Sequence, residues 1–148
     1  MRAKPFHYSL DDSLGHLASN ASRAVLKRIN QELSRRGLPL TSEQFSVIVH
    51  VWDQNGRPQY VLTERLYKDK TTMARLVAGL ESLGLLSRAP GQHDAREKNV
   101  FLTEKGKEMM TQVAGLVSEI LDAGQKGINK QDLTICKEVL RRFHKNLL

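Results

Sequence analysis

At 148 residues the chain has the length of one globular domain, and with 40% hydrophobic residues it can bury a core. A net charge of +7 fits phosphate binding or a merely solvated basic face, and no apolar run approaches the roughly 20 residues that span a bilayer. One cysteine, Cys136, excludes an intramolecular disulfide framework and points to a reducing, cytoplasmic compartment, and no apolar signal-peptide segment follows the basic N-terminus.

Residues 1–9 read as an arm that orders only by packing on something else. From Leu10, the positions Leu14, Leu17, Ala21, Val25, Ile29 and Leu33 recur at helical spacing up to Arg36, where Gly37 and Pro39 stop the helix. At about 1.5 Å per residue this helix spans about 35 Å or more. One small domain cannot cover it, so part of its stripe should meet another chain. Thr41 to Gln44 spells a capping box. Phe45, Ile48, Val49 and Trp52 then mark the inward face of an amphipathic helix ending near Asn55 and Gly56. Pro58 to Tyr67 reads as a short helix with Val61, Leu62 and Leu66 inward, and residues 68–70 as the turn that follows.

The stretch from Asp69 to Gly84 carries the clearest signal. Met73, Leu76, Val77, Leu80 and Leu83 form one buried stripe, Asp69 is placed to cap the start, and Gly84 sits where a left-handed residue ends a helix. Thr71, Thr72 and Arg75 share the exposed first turn. Short hydroxyls reach phosphates or either base type and arginine pairs bidentately with guanine, so this is the face of a major-groove reader. The alternative is an ordinary solvated helix face.

Beyond Gly84 the period changes. Leu85 to Arg88 and Asn99 to Leu102 read as two short strands, with a turn marked by Pro90 and Gly91 and a polar tip carrying His93, Arg96 and Lys98. From Thr103, the positions Met109, Val113, Leu116, Val117, Ile120 and Leu121 mark a long helix whose end Gly124 and Gly127 loosen. Asn129 caps a last helix with Leu133, Cys136, Val139, Leu140, Phe143 and Leu147 inward. The expected fold is therefore mainly α with a small β-hairpin wing: a winged helix-turn-helix over residues 41–107, with dimerisation helices over 10–36 and 108–148. The terminal helices offer more apolar surface than the winged module can cover, which implies a two-fold homodimer. Two recognition helices about 34 Å apart then imply an inverted repeat on DNA.

The charge excess falls in the same places. Residues 1–36 carry 7 basic and 3 acidic side chains, and residues 57–107 carry 10 and 6. Arg65, Lys68, Lys70, His93 and Lys98 are candidate phosphate contacts.

Gly84-Leu85-Leu86-Ser87-Arg88, Asp94-Ala95-Arg96 and Leu102-Thr103-Glu104-Lys105-Gly106 together resemble the MarR (multiple antibiotic resistance regulator) family of bacterial transcription regulators. An Asp-x-Arg wing followed six residues later by Leu-Thr-x-x-Gly is specific, and helix order agrees from about Leu10 onward. The resemblance implies that Arg96 enters the minor groove and that Asp94 braces the wing, with Arg88 as its candidate partner. It also implies a small aromatic or phenolic effector in a crevice lined by His16, Asn20 and Arg23 with Phe45, Val49 and Trp52. The other reading of those six is core aromatics and a surface arginine. One departure stands out: where the family carries Glu-Leu-Ala in its second module helix, this chain has Thr63-Glu64-Arg65-Leu66.

These observations make the chain a sequence-specific, double-stranded DNA-binding regulator, expected as a homodimeric repressor of a palindromic operator that an aromatic ligand releases. The competing class is a winged-helix module that docks protein or RNA without operator specificity. The polar Thr71, Thr72 and Arg75 face argues against an apolar docking groove, and it lacks the aromatics that stack single-stranded RNA. No phosphate loop, nucleophile triad or paired-carboxylate spacing marks an enzyme. His7, His16, His50, His93 and His144 are scattered, so no metal or cofactor is expected. Cys136, on the apolar face of the last helix, is expected to be a buried, inert thiol.

Overall fold

The computed structural model describes residues 8–148; residues 1–7 of the expected arm, His7 among them, lie outside that range. A short 3-10 helix, Leu10–Asp12, leads into α1 (Leu14–Arg35), α2 (Ser42–Asp53), β1 (Arg57–Pro58), α3 (Gln59–Arg65) and α4 (Lys70–Ser82). The strands β2 (Leu86–Pro90) and β3 (Lys98–Leu102) follow, then α5 (Glu104–Gln125) and α6 (Lys130–Asn146). The architecture is mainly helical with one small antiparallel sheet, as expected for a winged helix-turn-helix.

Helix starts are set locally. Except at α3, which starts after Pro58 without a side-chain cap, each α-helix start is fixed by a side-chain oxygen that accepts one of the orphan N–H groups of the first turn. Ser13 accepts from His16, Asp69 from Thr72, Thr103 from Gly106 and Asn129 from Asp132. Thr41 and Gln44 close both arms of the capping box, at 3.2 and 3.0 Å. Ser13 also corrects the first expected boundary. Its extended backbone (ψ 114°) separates Leu10–Asp12 from α1, so the long helix begins at Leu14.

The core sits where α2 is enclosed by α1, α4, α5 and β3. Phe45, Ile48, Leu62, Met73, Leu76, Val77, Leu80, Val100 and Val113 all belong to it. Enclosure on several sides buries Val47 and Val51 as well, a wider arc than an amphipathic helix on a surface would show. Trp52, expected inward, is 51% exposed, because nothing in the single chain covers that side of the last turn. Gly79 brings α4 close to α2: a Cβ there would stand 3.0 Å from the Gln44 side-chain nitrogen.

Three strands form in the order β1-β3-β2, one more than expected. The third is the two-residue β1, which pairs Arg57 with Val100 and Pro58 with Asn99. Neighbouring bonds extend this seam, from Gly56 N–H to the Val100 carbonyl at 2.9 Å and from Leu102 N–H to Asn55 Oδ1 at 2.9 Å. The hairpin also runs further towards its tip, pairing Pro90 with Lys98. Pro90 thus ends a strand instead of opening a turn, which its missing N–H allows because β2 is an edge strand.

The base of the wing is locked to α5. The Thr103 hydroxyl donates to the Gly84 carbonyl at 2.6 Å, and Thr103 N–H donates to the Leu85 carbonyl at 3.1 Å. Gly106 packs directly on that Leu85 carbonyl, where a Cβ would collide with the oxygen.

The terminal helices match one expectation, an α1 stripe that the chain covers only in part, and correct another. Ile29 and Leu33 of α1 are buried, but Leu10, Leu14 and Leu17 are exposed. No residue of α6 is buried, so Leu133, Cys136, Val139, Leu140, Phe143 and Leu147 do not face a core of this chain, and the Cys136 thiol is exposed. The stripe exists, but among the described residues it stays largely uncovered, with Leu14 beside Val139 and Phe143 in an open cleft. Leu121 near the end of α5 is exposed in the same way. Among the described residues no helix is long and apolar enough to cross a membrane.

Gly106→Ala should cost about 1–3 kcal/mol, the usual range for forcing a methyl group into a packed site. Denaturant unfolding would show it as a lower midpoint at unchanged slope. A loss within about 0.5 kcal/mol would mean that the α4–α5 junction yields easily.

Candidate nucleic-acid interface

The α4 helix presents Thr71, Ala74, Arg75 and Ala78 on its exposed side, because Met73, Leu76, Val77 and Leu80 are all drawn into the core. The two threonines differ. Thr71 is exposed. Thr72 is half-buried and serves the N-cap, its N–H donating to Asp69 Oδ1 at 2.7 Å and its hydroxyl to Oδ2 at 2.8 Å. The N–H bond first, and the hydroxyl second, hold the Asp69 carboxyl below its ordinary value. Thr72 therefore keeps only hydroxyl lone pairs for another partner, so donor chemistry on this turn falls to Thr71, Lys70 and Arg75.

Beside α4 the wing closes an open groove of about 430 Å³. It is lined by Lys70 and Ala74 of α4, by Arg88, Arg96 and Lys98 with one acidic residue, Glu97, from the wing, and by Gln59, Tyr60 and Thr63 of α3. The structure thus brings together Lys70, Arg88, Arg96 and Lys98 from the sequence-derived set, with Thr71 and Arg75 on the same helix. His93 stands exposed at the tip. Lys68 is turned away into an ion pair with Glu43 of α2 at 3.1 Å, and Arg65 lines a separate cleft beside α6.

The wing is built differently from the expected Asp94–Arg88 pairing. Asp94 Oδ1 accepts from the Arg96 backbone N–H at 2.9 Å, a local turn that leaves the Arg96 side chain 95% exposed. Arg88 instead pairs with Glu81 of α4 at 2.7 Å and donates to Gln59 Oε1 at 3.4 Å. Asp94 shapes the tip, and Arg88 ties the stem to α4 and α3. Sequence reasoning missed Glu81, Gln59, Tyr60 and Thr63. Glu81 and Arg88 lie on opposite sides of the Gly84 turn, a separation that no helix or strand period connects.

The six effector-pocket candidates do not converge. Phe45 is core, Val49 is half-buried and Trp52 is half-exposed. His16, Asn20 and Arg23 bond to one another along α1, Asn20 Nδ2 lying 2.9 Å from His16 Nε2 and Arg23 Nη2 donating to Asn20 Oδ1 at 2.7 Å. A cleft of about 570 Å³ opens elsewhere, between α1 and α5, lined by the apolar Val25, Leu116 and Ile120 and by Arg28, Arg35 and Arg36 with Glu32 and Glu119. Among the described residues no group of three or more His, Cys, Asp or Glu is placed to hold a metal ion.

Comparison with known proteins adds an independent line. The sequence matches the model of the MarR family over residues 36–97. It is 27% identical over 112 residues to the helix-turn-helix-type transcriptional regulator YybA of Bacillus subtilis, covering 76% of this chain and 75% of that one. To an uncharacterised helix-turn-helix-type transcriptional regulator of Mycobacterium bovis it is 30% identical over 101 residues, covering 67% and 70%. Among solved structures, CouR from Rhodococcus jostii bound to p-coumaroyl-CoA superposes with a TM-score of 0.79 at 25% identity, over 93% of this chain and 95% of that one.

The Asp69 cap carries a pH signature. Because its carboxyl is lowered in the folded chain, its contribution is full above the ordinary carboxylate value and is lost as pH falls through the lowered folded value. Asp69→Asn caps without titrating, so its unfolding profile should be flatter on the acid side than that of the unaltered chain. Superimposable acid limbs would remove Asp69 as a contributor.

Proposed function

Since the chain belongs to the MarR family of transcription regulators, we propose that it binds duplex DNA as a homodimer and represses from an inverted-repeat operator. The observation that carries this reading is the basic groove between α4 and the wing. Thr71 and Arg75, exposed on α4, would meet base edges, Lys70 and Lys98 would meet phosphates, and Arg96, exposed at the tip, would reach the adjacent minor groove. Dimerisation is supported by the uncovered stripe of α6 and the exposed leucines at the start of α1, which two-fold pairing would bury together. Two wings and two α4 helices would then read half-sites about 34 Å apart.

Selection of random duplexes on the purified chain, followed by sequencing, tests the reading as a whole. An enriched inverted repeat is expected; salt-sensitive binding to every sequence alike would refute operator specificity. On the selected site, Arg75→Ala should cost about 1–3 kcal/mol and relax preference at the contacted base. Equal weakening on cognate and random DNA would make Arg75 a phosphate contact. Arg96→Ala should weaken operator binding with the dimer intact, and unchanged affinity would take the wing out of the interface.

CouR is bound to p-coumaroyl-CoA, and by analogy we assign this chain a small aromatic anion as effector. The α1–α5 cleft suits it better than the six residues named from sequence, having Val25, Leu116 and Ile120 for a ring, with Arg28 and Arg36, now paired with Glu32 and Glu119, to exchange those partners for a carboxylate. Aromatic carboxylates should release the operator, and Ile120→Trp, which fills the cleft, should abolish that release. Release that survives the filled cleft would place the effector elsewhere.

A further inference from the structure

We propose that Tyr67 and His144 are positioning residues: their contact joins the turn before the recognition helix to the last helix, and so fixes the separation of the two recognition helices in the dimer. The inference rests on the homodimeric DNA-binding reading above and deepens it.

Tyr67 ends α3 in the left-handed region, with φ at 50°, and among the described residues it is the one non-glycine with positive φ. Its N–H donates to the Glu64 carbonyl at 3.2 Å and the following Lys68 N–H donates to the Thr63 carbonyl at 3.1 Å, the helix ending usually made by glycine. A tyrosine held there is strained and persists only if its surroundings hold it. What tyrosine adds over glycine at this φ is a ring and a hydroxyl, and both are engaged. The hydroxyl lies 2.8 Å from His144 Nε2, and the rings meet edge to face with centroids 6.3 Å apart. The side chain is otherwise largely exposed, so this contact supplies a connection and little burial.

Each end of the connection leads to something that matters for DNA. Two residues after Tyr67, Asp69 caps α4, and Lys68 between them is anchored to Glu43. No slack segment separates the contact from the recognition helix. At the other end, His144 occupies the last turn of α6, whose Val139 and Phe143 lie beside Leu14 in an open cleft on the uncovered stripe. When that stripe meets a second copy, the position of α6 is set by the dimer, and the Tyr67–His144 bond passes it to α4. The core joins α4 to the rest of its own chain; this contact joins it directly to the helix that the partner would grip.

The test uses the full chain and inverted-repeat duplexes whose half-site separation varies by single base pairs around one turn, about 10–10.5 bp. The unaltered chain should favour one separation. Tyr67→Phe and His144→Ala should each reduce that preference by roughly tenfold, within the usual span of coupling between sites. The double variant should lose no more than either single one, because both remove the same bond. Binding to a single half-site and the mass of the dimer should not change. Tyr67→Gly relieves the backbone strain, so it should fold at least as stably and still lose the preference, which separates positioning from folding. A sharp preference kept by all four variants overturns the proposal, as does equal weakening on half-sites and full sites. An unaltered chain without any spacing preference overturns instead the dimeric reading on which it rests.

Discussion

Thr103 meets α4, the wing and α5 at one point, and the geometry of the proposed DNA-facing surface depends on its bonds. Its hydroxyl donates to the carbonyl of Gly84, just past the end of α4, and accepts from Gly106 N–H at 3.0 Å, while its own N–H takes the Leu85 carbonyl at the base of the wing. Lys105 adds a bond to the Leu83 carbonyl at 2.8 Å. The carbonyls of the turn just past α4, Leu83 to Leu85, are thus satisfied by residues at the start of α5. Gly106 lets the two backbones approach, so α5 cannot shift without moving α4 and the wing. The Leu-Thr-x-x-Gly motif is in this sense a joint between the reading surface and the long helix behind it.

The rest of the wing follows from that joint. Arg88, paired with Glu81 and reaching Gln59, holds the stem against α4 and α3, and Asp94 folds the tip so that Arg96 points outward. On the other side of β3, Arg57 is buried with 1% of its surface exposed and pairs with Asp53, while its Nε and Nη1 have no partner. Burying a guanidinium with unmet donors is costly, and the backbone bonds of the β1–β3 seam are what keep it there.

Exposed apolar surface is the other constraint. A single chain leaves the α6 stripe, the start of α1 and the end of α5 without cover, yet keeps a continuous core around α2. A second copy is the simplest cover, and in the proposed dimer it would tie the paired reading surfaces to whatever moves α1, α5 or α6. The cleft between α1 and α5 and the Tyr67–His144 contact both lie on routes by which such movement would reach α4.

Much of this was legible in the residue order, for a physical reason: helices are set by neighbours three and four positions apart, and their caps by residues within one turn. The stripe from Met73 to Leu80, the capping box at Thr41, the caps at Asp69 and Asn129 and the basic hairpin all read directly. So did the family, because its motif is contiguous. What needed the tertiary structure were contacts between distant residues: β1 finding β3, Arg88 choosing Glu81 over Asp94, Lys68 drawn to Glu43, and Tyr67 meeting His144. No periodicity records such pairs, since they exist only once separate elements have packed. Burial likewise belongs to the whole fold. A stripe on α6 shows that a surface must be covered, and only the packed chain shows that it does not do so itself.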